Sequence, residues 1–120
     1  MFINFTNHSS DKWGTAQREA AEVFGEIIDI PFPAIPPTAD SSCINSLAEE
    51  YTALICGYAP EAVLVQGEMT FCFAVVNQLL EKGIRAVCAT TERAVVVSSG
   101  ANGETIKQSE FKFVRFRDYG

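Results

Sequence analysis

The sequence predicts an α/β domain: an open, mainly parallel sheet with helices on both faces and a C-terminal β-hairpin. Three observations predict it. Short apolar runs alternate with longer amphipathic segments, as buried strands alternate with covering helices. Those amphipathic segments stop at Gly25, Gly57 and Gly83, the residue type that most readily ends a helix. Near the end, Asn102-Gly103 between two β-rich stretches is a strong hairpin signal.

The elements follow in order. Phe2–Phe5 is a short aromatic and β-branched strand, and Thr6–Asp11 is a polar loop. A first helix is expected from Thr15 to Phe24, with Ala16, Ala20, Val23 and Phe24 on one face. Glu26–Ile30 is a second strand. Pro31, Pro33, Pro36 and Pro37 then force an extended loop, since each lacks an N–H and restricts the residue before it. Asp40, Ser41 and Ser42 are candidate caps for a second helix, whose buried stripe is Ile44, Leu47, Tyr51, Leu54 and Ile55.

Ala62–Val65 reads as a strand buried on both faces. It hands over at Gln66-Gly67-Glu68 to a third helix from Thr70 to Glu81, apolar enough to expect burial on two sides, either under the sheet or against another subunit. At such a handover the first N–H groups of the helix are free to face a ligand above the sheet edge. Ile84–Ala89 is a fourth strand, Thr90–Arg93 a turn, and Ala94–Val97 a fifth strand. After the hairpin, Thr105–Phe116 is a long last strand. There Phe111, Phe113 and Phe116 fall out of strict alternation, which points to a bulge or strand end near Val114.

Composition sets the bounds. The 120 residues suit one domain over residues 1–120 with one core. No apolar run approaches the ~18–20 residues that span a bilayer, and Met1–Thr6 lacks a basic, signal-like start, so a cytoplasmic protein is expected. A net charge of −6 argues against long nucleic acid as a partner but leaves room for a small anion held by local donors. Cys43, Cys56, Cys72 and Cys88 show no C-x-x-C spacing and no histidine pair, so they read as small buried hydrophobes rather than zinc ligands. No metal or cofactor is expected.

Ligands of open α/β sheets bind beyond the carboxyl ends of the strands. Three loops converge there: Thr6–Asp11, Gln66–Thr70 and Thr90–Arg93. Each candidate has two readings. His8, the one histidine, is a proton carrier suited to neutral pH or a loop residue bonded to backbone. Asn7 and Ser9 bind a ligand or shape the loop. Gln66, Gly67, Glu68 and Thr70 read a base or ribose, or simply build the turn and cap the helix. Thr90, Thr91 and Arg93 hold a phosphate, or form a polar turn. Lys112, Arg115 and Arg117 offset phosphate charge, or line a solvated strand face. Trp13 stacks on a base, or anchors the core. The absence of G-x-G-x-x-G and of a Walker pattern argues against a standard dinucleotide or NTP site.

Several stretches together resemble one family. They are Asn4-Phe5-Thr6-Asn7-His8-Ser9 with Gln17, Gln66-Gly67-Glu68, the apolar helix holding Val75, and Ala89-Thr90-Thr91-Glu92-Arg93. The hairpin at Gly103 and the closing Phe111–Tyr119 complete the set. They resemble the small stand-alone CRISPR-associated proteins of type III systems, among them ring nucleases with a Rossmann-like, CARF-like fold. The resemblance implies a homodimer that binds a cyclic oligoadenylate, cyclic tetra-adenylate first among them, across its two-fold axis. It also implies cleavage of that messenger, which switches off antiviral signalling. Metal-independent attack by the ribose 2′-OH suits the residues present. His8, Thr91 and Arg93 are then the catalytic candidates, with Asn7, Ser9, Gln66, Gly67, Glu68, Thr70, Thr90, Lys112 and Arg115 as ligand contacts. A sensor or sponge that binds without cutting, and an interaction module that docks a partner on the third helix, are the alternatives.

Overall fold

A computed structural model describes residues 1–120. It forms a five-stranded mixed sheet in the order β2-β1-β3-β4-β5, with three α-helices. The strands are β1 (Phe2–Thr6), β2 (Ile27–Asp29), β3 (Ala62–Gln66), β4 (Ala86–Ser99) and β5 (Thr105–Asp118). The helices are α1 (Thr15–Glu22), α2 (Ser41–Gly57) and α3 (Met69–Glu81), and a 3₁₀ turn covers Ser10–Lys12. The first four strands are parallel, and β5 returns antiparallel to β4.

Strand alternation sorts the core into two layers. Ile3, Phe5, Val63 and Val65 face α2 and α3, where they meet Ile44, Ala48, Phe71, Val75 and Leu79. Phe2, Leu64 and Val87 face the other way, toward Ala21 of α1, with Trp13, Phe24 and Phe116 at the margin. β1 and β3 are therefore buried on both faces, as the sequence predicts for Ala62–Val65, while β2 at the sheet edge is half-buried. Asp40 is the cap chosen for α2: its carboxylate accepts from the Cys43 N–H at 2.9 Å.

Three expectations are corrected. Thr90–Arg93 is not a turn. These residues continue β4, which pairs with β5 without interruption from Val87 to Ser99, so the anticipated fourth and fifth strands are one. A polar Thr-Thr-Glu-Arg run suits a strand here because the chain is leaving the core and meets solvent. Leu54 is half exposed rather than in the α2 stripe, and Phe73 on α3 is 72% exposed. The apolar excess of α3 thus exceeds what the sheet and α2 cover. The irregularity near Val114 is present: Thr90 pairs with Arg115 and Thr91 with Phe113, which leaves Val114 as the extra residue of a bulge.

Strand order reverses at β1, since the chain moves outward to β2 and then returns to place β3 on the other side. At such a reversal the loops leaving neighbouring strands diverge, and a crevice opens above the sheet.

Candidate functional site

The crevice is a cleft of about 880 Å³. The end of β1 and the loop after it supply Thr6, Asn7 and His8, and the segment into α1 supplies Lys12–Gln17. Leu64, Gln66, Gly67 and Ala89 form the floor. Thr91, Phe111 and Phe113, at the base of the β4–β5 ribbon, make the far wall. Lys112 borders the cleft between the two phenylalanines, although strand alternation sends its side chain toward the other face of the ribbon.

The lining chemistry is selective. The chain carries 15 acidic residues, yet no aspartate or glutamate lines the cleft. Its ionisable members are His8, Lys12 and Lys112, its amides Asn7, Gln17 and Gln66, and its aromatic walls Trp13, Phe111 and Phe113.

A polar network fixes the loop that carries His8. Asn4 is buried in mid-strand and donates from Nδ2 to the His8 carbonyl and to Asp29 Oδ1, each at 2.8 Å. The Thr6 hydroxyl donates to Asn4 Oδ1 at 2.9 Å and accepts from the His8 N–H at 3.1 Å. Asp29 also accepts from the Ser10 hydroxyl at 2.9 Å and the Ser10 N–H at 3.2 Å. Partial burial raises the Asp29 pKa, but the bonds from Asn4, Ser10 and Ser9 outweigh it and hold the carboxyl below its usual range. The bonds that hold His8 run through its backbone, and the residue itself is exposed at the cleft. Ser9 leans toward Asp29 and lies outside the cleft.

The turn after β3 is committed to structure on two sides. Gln66 Oε1 accepts from the Ala89 N–H at 2.9 Å, extending the β3–β4 ladder by a side chain. Phe32 of the proline-rich loop lies over Gly67 and packs on Phe5 and Phe71, so a Cβ at position 67 would overlap its ring. Glu68 caps α3: its carboxylate accepts from the Thr70 N–H at 3.2 Å, the Phe71 N–H at 2.8 Å and the Thr70 hydroxyl. Those bonds hold the Glu68 carboxyl below its usual range. The Thr70 and Phe71 amides at the start of α3 are therefore already occupied by an anion from the chain itself, which corrects the expectation that they are free for a ligand.

The predicted site residues thus divide. Asn7, His8, Gln66, Gly67, Thr91 and Lys112 come together at the cleft. Glu68 and Thr70 serve the helix cap. Thr90 and Arg115 sit opposite one another on the reverse face, where the Thr90 hydroxyl donates to the Arg115 carbonyl at 3.1 Å. Arg93 shares the face of Thr91 one step farther out, and donates to the Ser109 hydroxyl at 2.9 Å. Arg117 also lies on the reverse face, opposite Cys88. Sequence reasoning missed Lys12, whose signal was a cation one residue before the lone tryptophan. Trp13 packs edge-on against Phe2, as its anchoring reading expects, and also lines the cleft.

Of the four cysteines, all expected to be buried, only Cys72 is, and Cys43 is exposed. Burial and the nearby Glu68 charge push the Cys72 thiol up to about 11, so it stays protonated at neutral pH. No group of three or more His, Cys, Asp and Glu side chains is gathered as a metal would need. No helix is long and apolar enough to cross a membrane.

These features define an α/β protein with a ligand-sized, acid-free cleft where its strand order reverses. Residues 1–117 match the model of the Uncharacterized protein MJ1673 family, and the chain belongs to that family. Among curated proteins none matches it.

Proposed function

We propose that this protein binds a cyclic oligoadenylate in the cleft and cleaves it, acting as a metal-independent ring nuclease of Rossmann-like, CARF-like kinship. The observation that carries the reading is the lining: no acid, Lys12 as its cation, one histidine, three amides and three aromatic rings in a chain of net charge −6. Phosphates are repelled by carboxylates and attracted by cations, while bases stack on aromatic faces and bond to amides. A volume of about 880 Å³ suits part of an oligonucleotide ring, so two copies of the chain in a homodimer would share one ring.

The reaction needs little from the protein. The ribose 2′-oxygen attacks the adjacent phosphorus as its proton leaves, and the 5′-oxygen departs and takes up a proton. The products are a 2′,3′-cyclic phosphate and a 5′-hydroxyl. Holding the 2′-oxygen in line with the leaving oxygen supplies several kcal/mol of the barrier. Lys12 offsets the charge gathering on phosphorus, and the Thr91 hydroxyl donates to it. His8 carries the proton, worth about 10²–10⁴-fold. Arg93 comes behind Lys12 in this scheme, because its guanidinium is engaged by Ser109.

Incubation with radiolabelled cyclic tetra-adenylate, with and without EDTA, tests the reading. Linear di-adenylates bearing 2′,3′-cyclic phosphate are expected in both. A ring retained intact by the protein identifies a sensor or sponge instead. That second reading is favoured by one observation: the cleft lining holds one histidine and no carboxylate, so no acid–base pair is assembled. A ring neither retained nor cut would sink both.

A further inference from the structure

We infer that the projecting half of the β4–β5 ribbon is an arm that docks on the body of a second copy of this chain. The inference shares only the second copy with the ring-nuclease reading and needs no ligand.

The ribbon leaves the body at the bulge. From Thr91–Phe113 to Ser99–Thr105 the two strands pair only with each other, and nearly every residue is exposed. Such a two-stranded ribbon is marginal in water unless a third strand or a packed face supports it. The radius of gyration is 17.2 Å, against roughly 14 Å for a compact chain of this length, and the long axis reaches 56 Å.

Its two faces differ. Register places Thr91, Arg93, Val95 and Val97 with Phe111, Ser109 and Lys107 on the cleft side. There Val95 is 59% exposed, Val97 61% and Phe111 71%. The charged residues of this face, Arg93 and Lys107, are both basic. Glu92, Glu110 and Lys112 lie on the reverse face. An apolar face with basic charges calls for an acidic partner, and the chain provides one. The body, residues 1–90 with 114–120, holds six basic and twelve acidic residues, a net charge of −6, whereas the ribbon, residues 91–113, holds three of each, with its acids on the reverse face or at the tip. Two arms laid face to face would bring Arg93 and Lys107 against their own copies, so each arm is seated on the body of the other protomer.

The area is adequate. The free ribbon is about 30 Å long and about 10 Å wide, roughly 300 Å² of flat footprint per face. Each protomer contributes one arm and one seat, and side-chain relief adds to both, which approaches the roughly 800 Å² per partner of a stable interface. Because Phe111 belongs to both the arm face and the cleft wall, the second copy would border the cleft and complete it.

Sedimentation equilibrium of the full chain, without nucleotide, tests this. Twice the 13.1 kDa chain mass is expected at micromolar concentration. Val95→Glu with Val97→Glu should weaken association about a hundredfold or more, with far-UV circular dichroism unchanged. Lys107→Glu, a charge reversal on the same face, should weaken it about tenfold. Ribbon amides should exchange slowly in the parent and fast in the double variant. A parent chain that stays monomeric at ~100 μM, or a dimer indifferent to these substitutions, overturns the inference. Cleavage assays do not bear on either result.

Discussion

Asn4 shows how much one side chain settles. Its amide ties the loop after β1 to Asp29 at the end of β2, and so sets where His8 stands. Replacing it with alanine strips partners from a carbonyl and a carboxylate, and about 1–3 kcal/mol of stability should be lost on chemical denaturation. Asp29 adds a pH dependence. Its folded pKa lies below the unfolded value, so its contribution is present above the ordinary carboxylate range and is lost as pH falls through the folded pKa. The parent should weaken below about pH 4 more steeply than Asp29→Asn does, and a small difference is expected because Asp29 is exposed to solvent. Tyr119 works in the opposite sense. Its hydroxyl donates to the Val65 carbonyl at 2.7 Å, and burial raises its pKa to about 12. The folded state keeps that proton, so stability is full below about pH 10 and falls as pH rises toward 12, a loss that Tyr119→Phe should not show. For His8→Ala, cleavage should slow about 10²–10⁴-fold while binding changes little. Parental turnover would mark His8 as a loop residue only.

At the scale of elements, the turn from β3 to α3 is held by its neighbours rather than by its own sequence. Gly67→Ala should cost about 1–3 kcal/mol, read as a lower melting temperature, because Phe32 is wedged between Phe5 and Phe71 and has little room to yield. The sequence marked this glycine as a turn residue. It gave no sign of the ring above it, since that contact depends on how the proline-rich loop folds back. The strands of the body were legible because each is apolar on both faces, and the bulge was legible because Phe111, Phe113 and Phe116 break alternation. The continuity of β4 was not, because a strand that leaves the core looks as polar as a turn. The sequence leaves Glu68 between ligand and cap, and in the structure its carboxylate accepts from two helix N–H groups, as a cap does.

Over the whole molecule, the chain divides into an acidic body and a neutral arm with one basic face, and the cleft lies at their junction. That arrangement explains why the candidate residues were only half legible. Loops leaving parallel strands converge by topology, so Asn7, His8, Gln66 and Gly67 could be grouped from sequence. Lys12 and Phe111 reach the cleft through the 3₁₀ turn and the ribbon, which no periodicity reveals. The exclusion of all 15 acids from the lining is likewise a property of the assembled surface.

Trp13 is the only tryptophan and it lines the cleft, so its fluorescence reports occupancy directly. Titration with cyclic tetra-adenylate in EDTA should give a saturable change in that emission. Lys12→Glu, which puts a carboxylate into the acid-free lining, should weaken it about tenfold or more. Emission that stays flat up to millimolar ligand, with the protein folded, would contradict the claim that this cleft receives a cyclic nucleotide.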